Sequence, residues 1–317
     1  MTYTAPRWLP GGHLQSIYPA LYAPRPHVAL RRERWETPDG DFIDLDWTTH
    51  DTAASAPLLV LFHGLEGSAR SHYAQSFMAA CTARGWRGVV PHFRGCSGEL
   101  NRLPRAYHSG DSAEIGWVLQ RLHAQYPAMP LYVVGVSLGG NALAKWLGEQ
   151  QHQADFVHAA ACISAPLDLT ATAQALSRGI NQLYTRNFLS TLKPKSLEKA
   201  RRHPGIFDVK KMLQSRSFHE FDEVVTAPLH GFKNALHYWQ TCSGKQFLAS
   251  ITVPTLVLNA LNDPFLPAHT LPHAHEVSKA VTLEQPRHGG HVGFPQGRYP
   301  GDLHWLPKRV MRFFEGV

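Results

Sequence analysis

The chain alternates between short apolar runs and longer stretches with helical spacing. Residues 57–62 (Pro-Leu-Leu-Val-Leu-Phe) are apolar throughout, and 131–136 and 157–163 nearly so. Runs this short, bounded by polar loops, predict strands buried on both faces, as in parallel sheets. A further strand is expected at 86–90. Between these runs, 71–84, 111–126 and 141–150 place apolar residues at helical intervals. Strand and helix in alternation predict an α/β sheet, mostly parallel, with helices on both faces. Upstream, 31–35 and 41–47 flank Thr37-Pro38-Asp39-Gly40. Asp-Gly between two alternating runs predicts a β-hairpin. The first 30 residues are Pro-rich and aromatic without a strong period, and read as an arm lying on the body.

The rhythm stops after 164. From 165 to 250 no strand pattern is visible. The stretch has helical periodicity, punctuated at Pro194, Pro204-Gly205 and Pro228. Strands resume at 253–258 and 280–283, and a helix near 305–314 closes the chain. The expected organisation is a core of residues 1–164 and 251–317, its first 30 forming the arm, interrupted by a helical lid insertion at 165–250.

Composition narrows the function. Hydrophobic residues make up 44% and charged ones 17%, which suits a large core and not a disordered chain. The apolar runs fall far short of the ~20 residues that span a bilayer. The N-terminal residues lack a basic head followed by an apolar stretch, so a cytoplasmic protein with reduced thiols is expected. The cysteines, at 81, 96, 162 and 242, form no Cys-x-x-Cys pair, against zinc-ribbon and thioredoxin-like readings.

The net charge is +7, and residues 185–216, with nine Lys/Arg and two acids, account for nine minus two, the same +7. That permits an anionic partner. No recognition helix or stacking platform accompanies it, so nucleic acid is not expected. Lys193, Lys195, Lys199, Arg201, Arg202, Lys210 and Lys211 are candidates for weak peripheral contact with an anionic membrane, the rival being an ordinary solvated face. Apolar residues of the same stretch (Leu183, Tyr184, Phe188, Leu189 and Leu192) are candidates to line an acyl-chain site or simply to pack the lid onto the sheet.

Gly135-Val136-Ser137-Leu138-Gly139 matches Gly-x-Ser-x-Gly, after an apolar strand and before a helix. Such a turn strains the Ser backbone, requires small neighbours two residues away, and presents the hydroxyl at the carboxyl end of the sheet. A Ser hydroxyl needs a base, and the base needs an orienting acid. The chain order nucleophile, acid, base directs the search downstream. Asp263, in the Asp-Pro that follows the apolar run 253–258, is the expected acid; its rival is Asp168, while Asp302 falls too late. Arg287-His288-Gly289-Gly290-His291-Val292-Gly293 offers two bases, of which His291, flanked by glycines, is preferred over His288. A metal site joining these to His273 and His275 lacks the ligand spacing. The oxyanion donors are expected to be the backbone N–H groups of Leu138 and of Leu65, in His63-Gly64-Leu65-Glu66-Gly67-Ser68. His63 should hold that loop, Glu66 should face outward, and Cys96 should be packed rather than reactive.

These motifs resemble the YheT-like branch of the α/β-hydrolase superfamily, related to eukaryotic abhydrolase-domain lipases and esterases. The resemblance extends over nearly the whole chain. It rests on Gly12-His13-Leu14-Gln15-Ser16, His63-Gly64-Leu65-Glu66-Gly67-Ser68, His92-Phe93-Arg94-Gly95-Cys96-Ser97-Gly98-Glu99 and Tyr107-His108-Ser109-Gly110. It continues through Gly135-Val136-Ser137-Leu138-Gly139-Gly140-Asn141, Asn262-Asp263-Pro264-Phe265 and His288-Gly289-Gly290-His291-Val292-Gly293-Phe294. It implies the same nucleophile, acid and base. Asn262 departs from relatives that carry a second Asp there, which removes a competitor of Asp263. The expected activity is hydrolysis of a carboxylic ester through an acyl-enzyme, on an apolar short- or medium-chain acyl ester or a lipid. Acyl transfer and thioester cleavage use the same three residues; a non-catalytic binding protein of this fold would lack one of them. No metal, organic cofactor or obligate protein partner is expected.

Overall fold

The computed structural model describes residues 2–317. Its strands are β1 (Leu30–Glu36), β2 (Phe42–Thr48), β3 (Leu58–Phe62), β4 (Arg87–Pro91), β5 (Leu131–Val136), β6 (Val157–Ile163), β7 (Thr255–Leu258) and β8 (Val281–Glu284). They form one sheet in the order β1-β2-β4-β3-β5-β6-β7-β8. The β1–β2 hairpin and the β2–β4 pair are antiparallel, and every other pair is parallel. The hairpin turns where Asp-Gly predicts it: Gly40, at φ +83°, donates its N–H to the Thr37 carbonyl.

The helices of the sheet are α1 (Gly12–Leu21), α2 (His72–Arg84), α3 (Ser112–Gln125) and α4 (Leu138–Gln150), with a closing helix described below. Successive strand residues point to opposite faces, which explains the unbroken apolar runs. On β3, Leu58, Val60 and Phe62 enter a core under α3 and α4, while Leu59 and Leu61 enter the core under α2. Each fully buried Leu or Val of this kind contributes about 1.5–3 kcal/mol.

Between β6 and β7 no strand occurs among the described residues, and the chain forms α5 (Leu169–Leu176), α6 (Gln182–Arg202), α7 (Val209–Gln214), α8 (Phe218–Phe221), a π turn at 222–226, α9 (Ala227–Leu229) and α10 (Ala235–Cys242), joined by loops and short 3₁₀ turns. These pack into small apolar clusters, one of which joins Leu176, Tyr184 and Phe188 to Phe265, Leu266 and Leu271 beyond β7. The closing helix α11 (Trp305–Phe314) lies over the α2 face.

Two expectations need correction. The arm contains a helix, α1, that the hydrophobic pattern does not reveal. Its inward residues are Gln15, Ser16 and Pro19, while its short apolar stripe (Leu14, Ile17, Leu21) faces out, so the buried face carries no apolar period and Pro19 breaks the helical pattern. Helix α4 begins at Leu138 rather than at 141. Gly139 and Gly140 suggest a longer turn, but they serve close packing: a Cβ on Gly139 would lie 2.5 Å from the Phe62 carbonyl oxygen.

Candidate active site

Ser137 is the only residue between β5 and α4. It sits at φ +52°, ψ −118°, a conformation that costs a non-glycine residue on the order of 1–3 kcal/mol. The surroundings hold it there. Its N–H donates to the Ile163 carbonyl (2.8 Å), and its own carbonyl accepts from Asn141 (3.1 Å). Gly135 permits the crossing, because a Cβ there would lie 2.5 Å from the Gly139 carbonyl oxygen. The hydroxyl therefore stands at the positive end of α4.

The two residues expected downstream are brought to it. The Asp263 carboxylate has no exposed side-chain surface. One oxygen accepts from the Phe265 N–H (2.8 Å), and the other lies 2.8 Å from His291 Nδ1. His291 Nε2 lies 2.9 Å from Ser137 Oγ. Phe265 stacks on the imidazole at 4.2 Å between ring centroids, covering it from solvent. The loop carrying His291 is contorted by Gly289 (φ +146°), Gly290 (φ +63°) and Val292 (φ +60°), and Val292 N–H donates to Ser164 Oγ (3.1 Å).

The rival residues go elsewhere. Asp168 caps the N-terminus of α5, accepting from Ala171 N–H. Asp302 bonds Gln296 and the His304 N–H. His288 is exposed, 3.4 Å from the Asn262 amide. His273 and His275 stack on each other, and no group of His, Cys, Asp and Glu suited to a metal occurs among the described residues. Burial pushes the Cys96 thiol up to about 12, and all four cysteines are free.

The loop after β3 makes a tight turn, with Gly67 N–H donating to the Gly64 carbonyl (2.9 Å). His63 is fully buried and holds this loop: Nδ1 lies 2.8 Å from the Gly64 carbonyl oxygen and Nε2 accepts from Phe93 N–H. Burial pushes its pKa down to about 3, so the ring is neutral. Leu65 and Leu138 border the same cavity as Ser137 and His291.

Glu66 does not face outward. Its backbone takes φ +55°, and its carboxylate is only 9% exposed. Tyr107 donates to it (2.9 Å) and accepts the Glu66 N–H (2.8 Å), while Lys195 of α6 lies 2.8 Å away. A carboxylate so near the turn is tolerable because it is paired, an arrangement that requires the helical segment to be in place.

Other groups at the site were not legible as such. Ser16 of α1 accepts the backbone N–H of His291 (2.7 Å). Gln15 Oε1 accepts from both the Asn262 amide and the Gly289 N–H, each at 2.9 Å, tying together the loops of the acid and the base. The motif containing them gave no role, since its partners lie about 250 to 275 positions downstream in sequence. Asp222, in the π turn, borders both the Ser137 cavity and an adjoining one. It accepts from Thr226 and from the Trp239 indole N–H, and burial pushes it up to about 6.

The apolar candidates of α6 divide. Phe188 borders the Ser137 cavity, Leu192 borders the adjoining one, and Tyr184 packs edge-on against Phe265. Leu189 is buried in a cluster of its own, and Leu183 is 59% exposed. Several cations of the basic stretch are turned onto the protein. Lys193 donates to the Leu213 and Ser215 carbonyls and Lys199 to those of Leu103 and Arg105, whereas Arg201 and Arg202 pair with Glu198 of the same helix and stay exposed.

Comparison with known proteins agrees with this architecture. A profile for the alpha/beta hydrolase fold matches residues 57–297. YheT of Escherichia coli (strain K12), whose esterase assignment is provisional, is 38% identical over 94% of this chain and 88% of its own length. A mouse protein named phospholipase ABHD3 is 29% identical over all of this chain and 79% of its own. An esterase of Pyrococcus furiosus superposes with a TM-score of 0.59 at 14% identity, covering 93% of this chain and 96% of that one, a likeness of fold. The chain thus belongs to the α/β-hydrolase family, in the branch that contains YheT, and its relatives include proteins named as a phospholipase and a monoacylglycerol lipase.

Proposed function

We propose that the protein is a serine carboxylic-ester hydrolase in which Ser137 is the nucleophile, His291 the base and Asp263 the acid. The observation that carries this reading is the unbroken chain of contacts, 2.9 Å from Ser137 Oγ to His291 Nε2 and 2.8 Å from Nδ1 to Asp263. Ser137 Oγ attacks the ester carbonyl carbon as its proton passes to His291 Nε2. The carbonyl oxygen becomes an oxyanion, received by the Leu65 N–H of the loop after β3 and the Leu138 N–H at the start of α4. Collapse breaks the bond to the alcohol, which leaves with the proton from His291. Water then attacks the acyl-enzyme by the same route and releases the acid. Asp263, buried and anchored by Phe265 N–H, holds the Nδ1–H tautomer and stabilises the imidazolium.

The substrate proposed is an ester with an apolar acyl chain. Leu169, Ala173, Leu176, Phe188, Phe265 and Leu266 surround the nucleophile. Residues 165–250 act as the lid that supplies part of this lining. The test is a chain-length series of p-nitrophenyl esters with wild type and Ser137→Ala. The expected loss in kcat is on the order of 10⁴-fold or more, together with loss of fluorophosphonate labelling. Near-wild-type turnover by folded Ser137→Ala refutes the mechanism.

A further inference from the structure

Helix α1 is built inside out. Its polar Gln15 and Ser16 are buried and used, whereas Leu14 (48% exposed), Ile17 (37%) and Leu21 (64%) form an outward stripe at positions i, i+3 and i+7. The stripe runs on into Tyr22, 69% exposed. At one side, Trp8 packs edge-on against Tyr18 and against Tyr299, which is 74% exposed. At the other, His13 Nδ1 contacts the Tyr184 hydroxyl (3.1 Å), joining α1 to the start of α6, where Ile180 and Leu183 are each 59% exposed. So much large apolar and aromatic surface left outward in one region marks an interaction site.

Charge identifies the partner. Residues 2–32, 169–197 and 285–301, which supply this face, contain no Asp or Glu. Exposed arginines flank it: Arg7 beside Trp8, Arg25 beyond Tyr22, Arg178 before Ile180, Arg186 a turn after Leu183 and Arg298 beside Tyr299. An apolar helix face with Trp and Tyr at its margin and Arg without acids around it suits the interface of an anionic bilayer. A second copy of the chain would bring the same arginines against each other. We propose that α1 and the start of α6 form a docking face for an anionic lipid surface. The face adjoins the cavity that holds Ser137, because Tyr184 and Phe188 of α6 pack against Phe265, which stacks on His291. Docking there holds the mouth of the cleft against the lipid. This contact is distinct from the Lys-rich part of α6, whose charges are largely turned inward.

The test is co-sedimentation of the full chain with vesicles of phosphatidylcholine alone or with one third phosphatidylglycerol, at low and high salt. Wild type is expected to bind the mixed vesicles, more weakly at high salt. Leu14→Ser/Ile17→Ser/Leu21→Ser should lower partition at least about tenfold. Arg7→Gln/Arg25→Gln/Arg298→Gln should weaken binding and flatten its salt dependence. Both variants should keep the wild-type melting profile and, if the esterase reading holds, wild-type turnover of soluble p-nitrophenyl acetate. Binding is measured without turnover, so it stands or falls apart from that reading. Wild type that ignores mixed vesicles, or a folded serine variant that binds them as wild type does, overturns the proposal. So does a dimer in sedimentation velocity that the serine variant abolishes while vesicles are ignored, since the face would then join two copies of the chain.

Discussion

A hydroxyl on α1 receives the backbone N–H of His291, and an amide one residue earlier ties the loop of Asn262 to that of Gly289. These are positioning residues for the proposed base and acid, and each is buried, so removing one strands a partner away from water. Ser16→Ala should lower stability by about 1–2 kcal/mol and kcat about tenfold, with KM little changed. Thermal melts and initial rates on one ester check it. A variant that loses stability but keeps kcat shows that Ser16 supports the fold alone. The same-scale reading of the sequence reached Ser137, Asp263 and His291 because each carries a local signature: small neighbours, an Asp-Pro that follows an apolar run, glycines around a His. Ser16, Gln15 and Asp222 carry none, since their importance lies wholly in what other segments bring to them.

Among the elements, the turn after β3 and helix α6 are coupled through Glu66. Its carboxylate lies beside the proposed oxyanion donor and is compensated by Lys195 and Tyr107. Removing the cation leaves negative charge next to a site where negative charge must develop. Lys195→Met is therefore expected to lower kcat/KM about tenfold, and Glu66→Gln added to it should restore most of the loss. A double variant no better than Lys195→Met rejects electrostatic compensation in favour of packing. The α/β alternation was legible at this scale because each strand buries both faces and must be apolar at nearly every position. The onset of α4 was not, because glycines placed for close approach of β3 look the same in sequence as glycines placed for a turn.

For the whole molecule, buried histidines set the response to acid. Burial holds His63, His108 and His230 down to about 3 and His72 to about 4. Their folded values lie below the unfolded one, so the unfolded chain takes up protons that the folded chain refuses between about pH 6.5 and 4. Stability is full above about pH 6.5 and falls as pH drops through that window, by about 1.4 kcal/mol per pH unit for each ring. Asp222 and Glu114, both pushed up by burial, work the other way and offset part of the loss. The expected net effect of the four rings against the two acids is a loss of about 3–4 kcal/mol between pH 7 and pH 5, read from urea midpoints by circular dichroism. An unchanged or higher midpoint at pH 5 contradicts it.

The sequence by itself determined the layered sheet, the helical segment between β6 and β7, and the identity of the nucleophile, acid and base proposed here. Periodicity and turn chemistry are local, and those features are written locally. Tertiary structure alone decided that Glu66 turns inward to an ion pair, that a polar helix face braces two distant loops, and that an apolar one is left outward. Each depends on which segments meet in space, and contacts spanning 129 to 275 positions leave no mark on the spacing of residues along the chain.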